Sequence, residues 1–163
     1  MSEFKDFFNF IFKQGKYIEF VFVAFFALSL VGKIPFSETG DLVMTVSLLS
    51  LVVFYLLYAE SVRSNPEISI YDRFWFPISM GFIALAIVGI LFKFRHWPKA
   101  NTLLLGGVAL LVAVLPALVY RAVKDPDIRD LYYRHFGRII VVGGIALGMY
   151  FKSAAAIEAI FIH

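Results

Sequence analysis

The sequence predicts an all-α protein, a polytopic helical bundle in a membrane, from its composition and from five long apolar runs. Of its 163 residues, 61% are hydrophobic and 18% aromatic, and the mean hydropathy is +0.83. Soluble domains contain about 45–50% apolar residues, because a surface in water needs more polar side chains. We therefore expect one integral membrane domain over residues 1–163.

Each apolar run is interpreted as a transmembrane helix. The runs are Tyr17–Val31, Leu42–Ala59, Phe74–Phe92, Thr102–Tyr120 and Gly137–Phe151. The middle three approach the ~20 residues that cross a bilayer, whereas the first and last need flanking residues to do so. The last run is expected to continue through 154–162 as one longer, tilted helix.

Two amphipathic segments are predicted to lie in the membrane interface. In residues 4–12, aromatic and aliphatic side chains recur at helical spacing, with most polar residues elsewhere. Residues 126–136 follow an N-cap at Asp125 and begin with a proline, Pro126. Two prolines are expected within the predicted spans. Pro77 is expected in the first turn of the third span, and Pro116 should kink the fourth span.

The distribution of basic residues predicts the orientation. Ten of the 15 Lys and Arg residues fall on the side of the N-terminus. They are Lys5, Lys13, Lys16, Arg63, Arg73, Arg121, Lys124, Arg129, Arg134 and Arg138. Because cytoplasmic segments are enriched in such residues, we expect a multi-pass protein with a cytoplasmic N-terminus. The basic residues are thus interpreted as topology determinants beside membrane lipids, with no nucleic acid as partner.

The residue types give no indication of catalysis. There is no cysteine, which excludes disulfides and thiolate metal sites. The histidines His96, His135 and His163 are scattered, and no nucleophile with an acid–base partner is apparent. We therefore expect no enzyme activity, no catalytic residue, no cofactor and no bound metal.

A repeated helical hairpin is one interpretation of the apolar runs. The segment from Gly89 to Lys93 and the segment from Gly148 to Lys152 share Gly-x-x-Phe-Lys at a spacing of 59 residues. This predicts hairpins over 17–59 and 74–120 and a partial copy over 137–162. The alternative is that apolar helices ending in lysine resemble one another by composition alone.

The most distinctive stretch, Gly89-Ile-Leu-Phe-Lys-Phe-Arg-His-Trp-Pro-Lys-Ala100, ends the third run and leads into the fourth. Lys93 and Arg95 can reach lipid phosphates, and Trp97 suits the headgroup level. A tight membrane hairpin therefore accounts for the stretch without catalysis. Its candidate functional residues are Gly89, Phe92, Lys93, His96, Trp97 and Pro98.

This stretch resembles the Gly-x-Leu-Phe-Lys-x-x-His-Trp-Pro motif of the gliding-motility protein family GldL and of related small membrane proteins in gliding and type IX-secreting bacteria. The resemblance covers about residues 82–120. It implies a bacterial inner membrane and a motor-stator or accessory role alongside other membrane-protein subunits, or in self-association. In that family a carboxylate of the second hairpin helix takes part in proton coupling, but Thr102–Tyr120 contains no Asp or Glu. A structural or accessory subunit that shares the hairpin is therefore favoured.

The alternative function is a small transporter or ion channel. Acidic residues in apolar runs are costly and are usually functional, and here they are Glu19 and Glu158, both near the ends of runs. Glu19 and His96 are the candidates for ion coupling, since an unperturbed histidine titrates near neutral pH. Small residues are predicted to serve helix packing first and oligomerisation second. They are Gly106, Gly107, Gly143, Gly144 and Gly148.

Overall fold

The computed structural model describes residues 2–31, 38–125 and 129–152, and these residues form five helices. The helices are α1 (Ser2–Val31), α2 (Glu38–Ser64), α3 (Ile70–Phe94), α4 (Ala100–Lys124) and α5 (Arg129–Phe151). The all-α prediction is confirmed. The expected continuation through 154–162 lies outside the described residues, as do residues 126–128 of the second predicted interfacial helix.

Three helices are long and apolar enough to cross a membrane, which agrees with a membrane protein. They are Gly40–Ser64, Ile70–Phe94 and Ala100–Lys124, with mean hydropathies of 2.3, 2.2 and 2.5. The number is smaller than the five predicted, because α1 and α5 do not qualify among the described residues. The apolar run of α1 contains the charged residue Glu19, and that of α5 contains Arg138. Both residues lower the mean hydropathy of their helices.

The two predicted interfacial helices are not separate elements. Residues 4–12 are the first turns of α1, which continues without a break to Val31. Ile11 is buried, and the ring of Phe12 stacks on that of Tyr58 with 6.1 Å between centroids. Residues 129–136 likewise belong to α5. The prediction of two separate helices was wrong, because an apolar stripe has the same period whether lipid or another helix covers it.

The start of α3 also differs from the prediction. Pro77 lies inside the helix, which begins at Ile70, and not in its first turn. Ser69 is the N-cap, and its side chain accepts a hydrogen bond from the backbone N–H of Asp72 at 3.3 Å. This capping interaction sets an earlier start than the apolar run indicates. Pro116 lies inside α4 as expected.

The central helix of the bundle is α3, which packs against α2, α4 and α5. Its side chains Phe76, Met80 and Ile83 are 0% exposed. At its end, Phe94 meets Phe26 of α1 with ring centroids 6.2 Å apart. The helices α1 and α3 therefore end at the same face of the bundle, which places the α3–α4 connection there and the start of α3 at the opposite face.

The backbones of α3 and α4 are in direct contact. A Cβ atom on Gly89 would lie 2.8 Å from the backbone nitrogen of Leu104, and one on Gly107 would lie 2.9 Å from the Cα of Ala86. Neither neighbour is a flexible side-chain end that could move away. Glycine at these two positions is therefore required by the close approach of the helices.

The other glycines predicted to pack helices are placed differently. A Cβ on Gly143 would lie at an ordinary 3.9 Å from Leu111, and Gly106, Gly144 and Gly148 have nothing within 4 Å among the described residues. Of the five predicted positions, only Gly107 therefore lies at a close helix contact.

The neighbouring glycines of α4 provide a matched pair of variants. Gly107→Ala is expected to destabilise the protein by about 1–3 kcal/mol, because the added methyl group overpacks a backbone contact. Gly106→Ala should be neutral or stabilising by up to ~1 kcal/mol, since alanine favours a helix. Thermal unfolding of both variants in mild detergent measures the difference, and equal shifts would contradict the close approach.

Candidate functional site

The helix α5 directs three polar side chains into the bundle. Tyr132, His135 and Arg138 are spaced three residues apart and so share one face of the helix. Tyr132 and His135 are 0% exposed, and the Arg138 side chain is 10% exposed. Buried polar and charged groups are costly without partners. This polar face of α5 is therefore the candidate functional site, and its partners define it.

Arg138 forms a largely buried ion pair with Glu19 of α1, with side chains 10% and 15% exposed. Its Nε and Nη2 donate to Oε2 of Glu19 at 2.8 and 2.5 Å. The hydroxyl of Tyr55 in α2 donates to Oε1 of the same carboxylate at 2.5 Å. The guanidinium also lies over the ring of Tyr58, 5.0 Å from its centroid. One charged pair thus joins α1, α2 and α5.

A second cluster surrounds Asp72, which is 2% exposed. Its Oδ1 accepts hydrogen bonds from Nε of Arg121 at 3.1 Å and from the hydroxyl of Tyr132. Its Oδ2 accepts from the hydroxyl of Ser69 at 2.6 Å and from Nη2 of Arg121 at 3.3 Å. Arg121 in turn pairs with Asp125 at 2.9 Å. The carboxylate is therefore saturated with donors and links α3, α4 and α5.

Between the two clusters, His135 bonds to Ser79 of α3, with Nε2 and Oγ 2.5 Å apart. The Ser79 hydroxyl donates its single hydrogen to the carbonyl of Phe76 at 2.7 Å. The network therefore assigns the donor role to Nε2–H of His135 and leaves Nδ1 as an acceptor. Within the described part of the chain, this buried Nδ1 has no hydrogen-bond partner.

An aromatic side chain separates the two charged clusters. Phe76 is 0% exposed, and its ring stacks on His135 with 4.2 Å between centroids. The same ring contacts Tyr132 at 5.9 Å and Tyr58 at 6.4 Å. Each cluster is thus hydrogen-bonded within itself, and apolar contacts of Phe76 connect the two.

The two residues predicted for ion coupling are not brought together. Glu19 belongs to the buried pair described above, whereas His96 lies in the connection after α3. There, His96 lines a pocket with Lys93 and Trp97, and its φ of 53° is left-handed.

The other motif residues build this connection. The backbone N–H of Trp97 donates to the carbonyl of Phe92 at 2.9 Å, and the two rings meet edge to face at 4.9 Å. Pro98 precedes α4, which begins at Ala100. Arg95 was expected to reach lipid phosphates, but its Nη1 lies 2.6 Å from Oδ2 of Asp41 at the start of α2. The connection is therefore tied to a neighbouring helix.

Sequence reasoning missed most of the buried network. The sequence pattern indicates topology determinants at Arg121 and Arg138 and an interfacial helix around His135, and it gives no indication of a role for Asp72. The pattern Tyr132-x-x-His135-x-x-Arg138 was visible in the sequence, since it places three polar residues on one face at the start of an apolar run.

The fold and the network together define an all-α bundle of membrane-protein type with a charged interior. Comparison with protein-family models, curated proteins and solved structures finds no match for this chain. Among the described residues, no group of three or more His, Cys, Asp or Glu side chains could hold a metal ion.

Breaking the Glu19–Arg138 pair should be strongly destabilising. Glu19→Gln or Arg138→Gln alone is expected to cost about 3–5 kcal/mol, because each leaves an uncompensated buried charge. The double variant should lose less than the sum of the two single variants. Reversible unfolding in detergent measures these differences.

The exposed pair of Glu60 and Arg63 is the matched control for this cycle. Nη1 of Arg63 lies 3.8 Å from Oε2 of Glu60, and the side chains of Glu60 and Arg63 are 50% and 71% exposed. Glu60→Gln should therefore change the free energy of unfolding by less than ~1 kcal/mol. Additive losses in the Glu19–Arg138 cycle would show that the pair is not coupled.

Proposed function

We propose that this chain is a structural or accessory subunit of a membrane assembly in a bacterial inner membrane. The observation that carries the proposal is that the carboxylates of Asp72, which is buried, and Glu19, which is largely buried, are bound by arginine and tyrosine donors. Asp72, 2% exposed, accepts from Arg121, Ser69 and Tyr132. An ion path needs polar groups that line a continuous pore, whereas saturated pairs fix helices against one another.

The hairpin of α3 and α4 supports the same proposal. Its motif residue Gly89 lies where the two backbones touch, and Arg95 binds Asp41 at 2.6 Å. The resemblance to the GldL family suggests that such a hairpin serves the motors of gliding or type IX secretion. A rigid hairpin that is packed against α2 is suited to an accessory part of such an assembly.

We also propose that α1 and α5 cross the membrane, which gives five spans. Their hydropathy is lowered by Glu19 and Arg138, but these charges neutralise each other at 2.5 Å. Because paired charges cost less in lipid than separate ones, the two helices can be inserted together. Exposed apolar side chains on these helices, such as Phe20 and Ile140, both 72% exposed, suit lipid or another subunit.

The positive-inside distribution places the N-terminus in the cytoplasm in this proposal. The start of α3, the end of α4 and the start of α5 then lie at the cytoplasmic face. The α3–α4 connection lies at the outer face. A reporter fused at Asp125 is expected to be active in the cytoplasm, and an active reporter outside would reverse the orientation.

Purification under mild conditions tests the assembly role. The tagged chain, extracted in a gentle detergent, is expected to elute with stoichiometric partner proteins or as an oligomer. Gly107→Ala should reduce this recovery more than Gly106→Ala, because only the former disturbs the hairpin. A monomer without a stoichiometric partner would contradict the proposed role.

The second candidate function is a small transporter or ion channel. It is favoured by the buried Nδ1 of His135, which lies on the same face of α5 as Arg138 of the Glu19 pair. In proteoliposomes, the parent, Glu19→Gln and His96→Ala are expected to show equal proton flux, no higher than empty vesicles. A parental flux above that of empty vesicles would favour the transporter.

A further inference from the structure

A polar pocket lies at the end of the hairpin where α3 gives way to α4. Its volume is about 360 Å³, within the size range of sites for small ligands. The lining residues are Lys93, His96, Trp97, Lys99, Ala100 and Asn101. Three of the six carry a basic side chain and none is acidic, so the lining favours an anion.

Two lysines supply the charge of this pocket. Nζ of Lys93 donates to Oδ1 of Asn101 at 2.7 Å, which orients both side chains in the lining. Lys99 makes no side-chain cap to the helix that it precedes. Within the described residues, neither lysine forms an ion pair, whereas nearby Arg95 is paired with Asp41 at 2.6 Å. The two lysines therefore remain available to a ligand.

The surroundings indicate what kind of anion fits. The first turn of α4 contains no acidic residue, so its positive end adds to the lysine charges. On the other side, the half-exposed Trp97 ring, packed on Phe92, is suited to the headgroup level of a membrane. Because both flanking helices are apolar membrane-span candidates, a bilayer that they cross would have its headgroups at the level of the pocket.

We propose that this pocket binds the phosphate of an anionic phospholipid headgroup. Lys93 and Lys99 contact the phosphate oxygens, the Asn101 amide contributes a further donor, and the acyl chains lie along the apolar helix surfaces. A zwitterionic headgroup would bring its own ammonium group close to two lysines, so the pocket selects anionic lipids. This site does not depend on the assembly role proposed above.

Lipid titration of the full-length protein tests the proposal. The protein in mild detergent is titrated with short-chain phosphatidylglycerol, phosphatidylcholine or sodium phosphate, and binding is followed by thermal shift and native mass spectrometry. Phosphatidylglycerol should bind at least about tenfold more tightly than phosphatidylcholine, since charge-assisted bonds to phosphate are strong. Sodium phosphate should give no shift at the same concentration.

Matched lysine pairs locate the binding. Lys93→Gln with Lys99→Gln should weaken phosphatidylglycerol binding at least about tenfold, whereas Lys13→Gln with Lys16→Gln, a pair in α1, should leave most of it. If the first double variant fails to fold, the single variant Lys99→Gln, at an exposed position, should still weaken phosphatidylglycerol binding measurably.

Three outcomes would overturn the proposal. Equal binding of the two phospholipids would remove the selectivity for anionic headgroups. An equal loss in both lysine pairs would indicate general surface charge. A shift of the same size with sodium phosphate would indicate a site for free phosphate in place of lipid.

Discussion

The free-energy cost of a charge in an apolar interior is the constraint on which this bundle depends. Arg138 of α5 enters the bundle between α1 and α2, and only a carboxylate with additional donors can compensate it there. Glu19 provides that carboxylate, with Oε2 2.5 Å from Nη2 of Arg138, and the Tyr55 hydroxyl donates a further hydrogen bond to Oε1. The Glu19–Arg138 ion pair therefore contributes to the position of α5 relative to α1.

The same requirement operates at the start of α3. Asp72 receives donors from its own N-cap, from Arg121 of α4 and from Tyr132 of α5. Three helix ends consequently meet at one carboxylate. Together with the glycine contact between α3 and α4, this carboxylate holds α3, α4 and α5 together in the centre of the bundle.

Much of the fold could be predicted from the sequence, but less of the site. The apolar runs located α2, α3 and α4, because lipid-compatible helices have a composition that soluble segments lack. The runs did not show that residues 4–12 belong to the same helix as the first run, α1, or that residues 129–136 belong to the same helix as the last run, α5. Glu19 was identified as a candidate from its place in an apolar run. Its partner was not, because Arg138 is 119 residues away along the chain and basic residues near run ends serve topology equally well.

By itself, the sequence determined an all-α chain with membrane-span helices, a compact motif between Gly89 and Pro98, and no cysteine chemistry. The tertiary structure alone decided which charges are compensated: Arg95 by Asp41, Arg121 by Asp72, and Arg138 by Glu19. It also decided that Lys93 and Lys99 share a pocket. The physical reason is that helical periodicity specifies a buried face from local residues, whereas the partner of a charge depends on which distant helix packs against it.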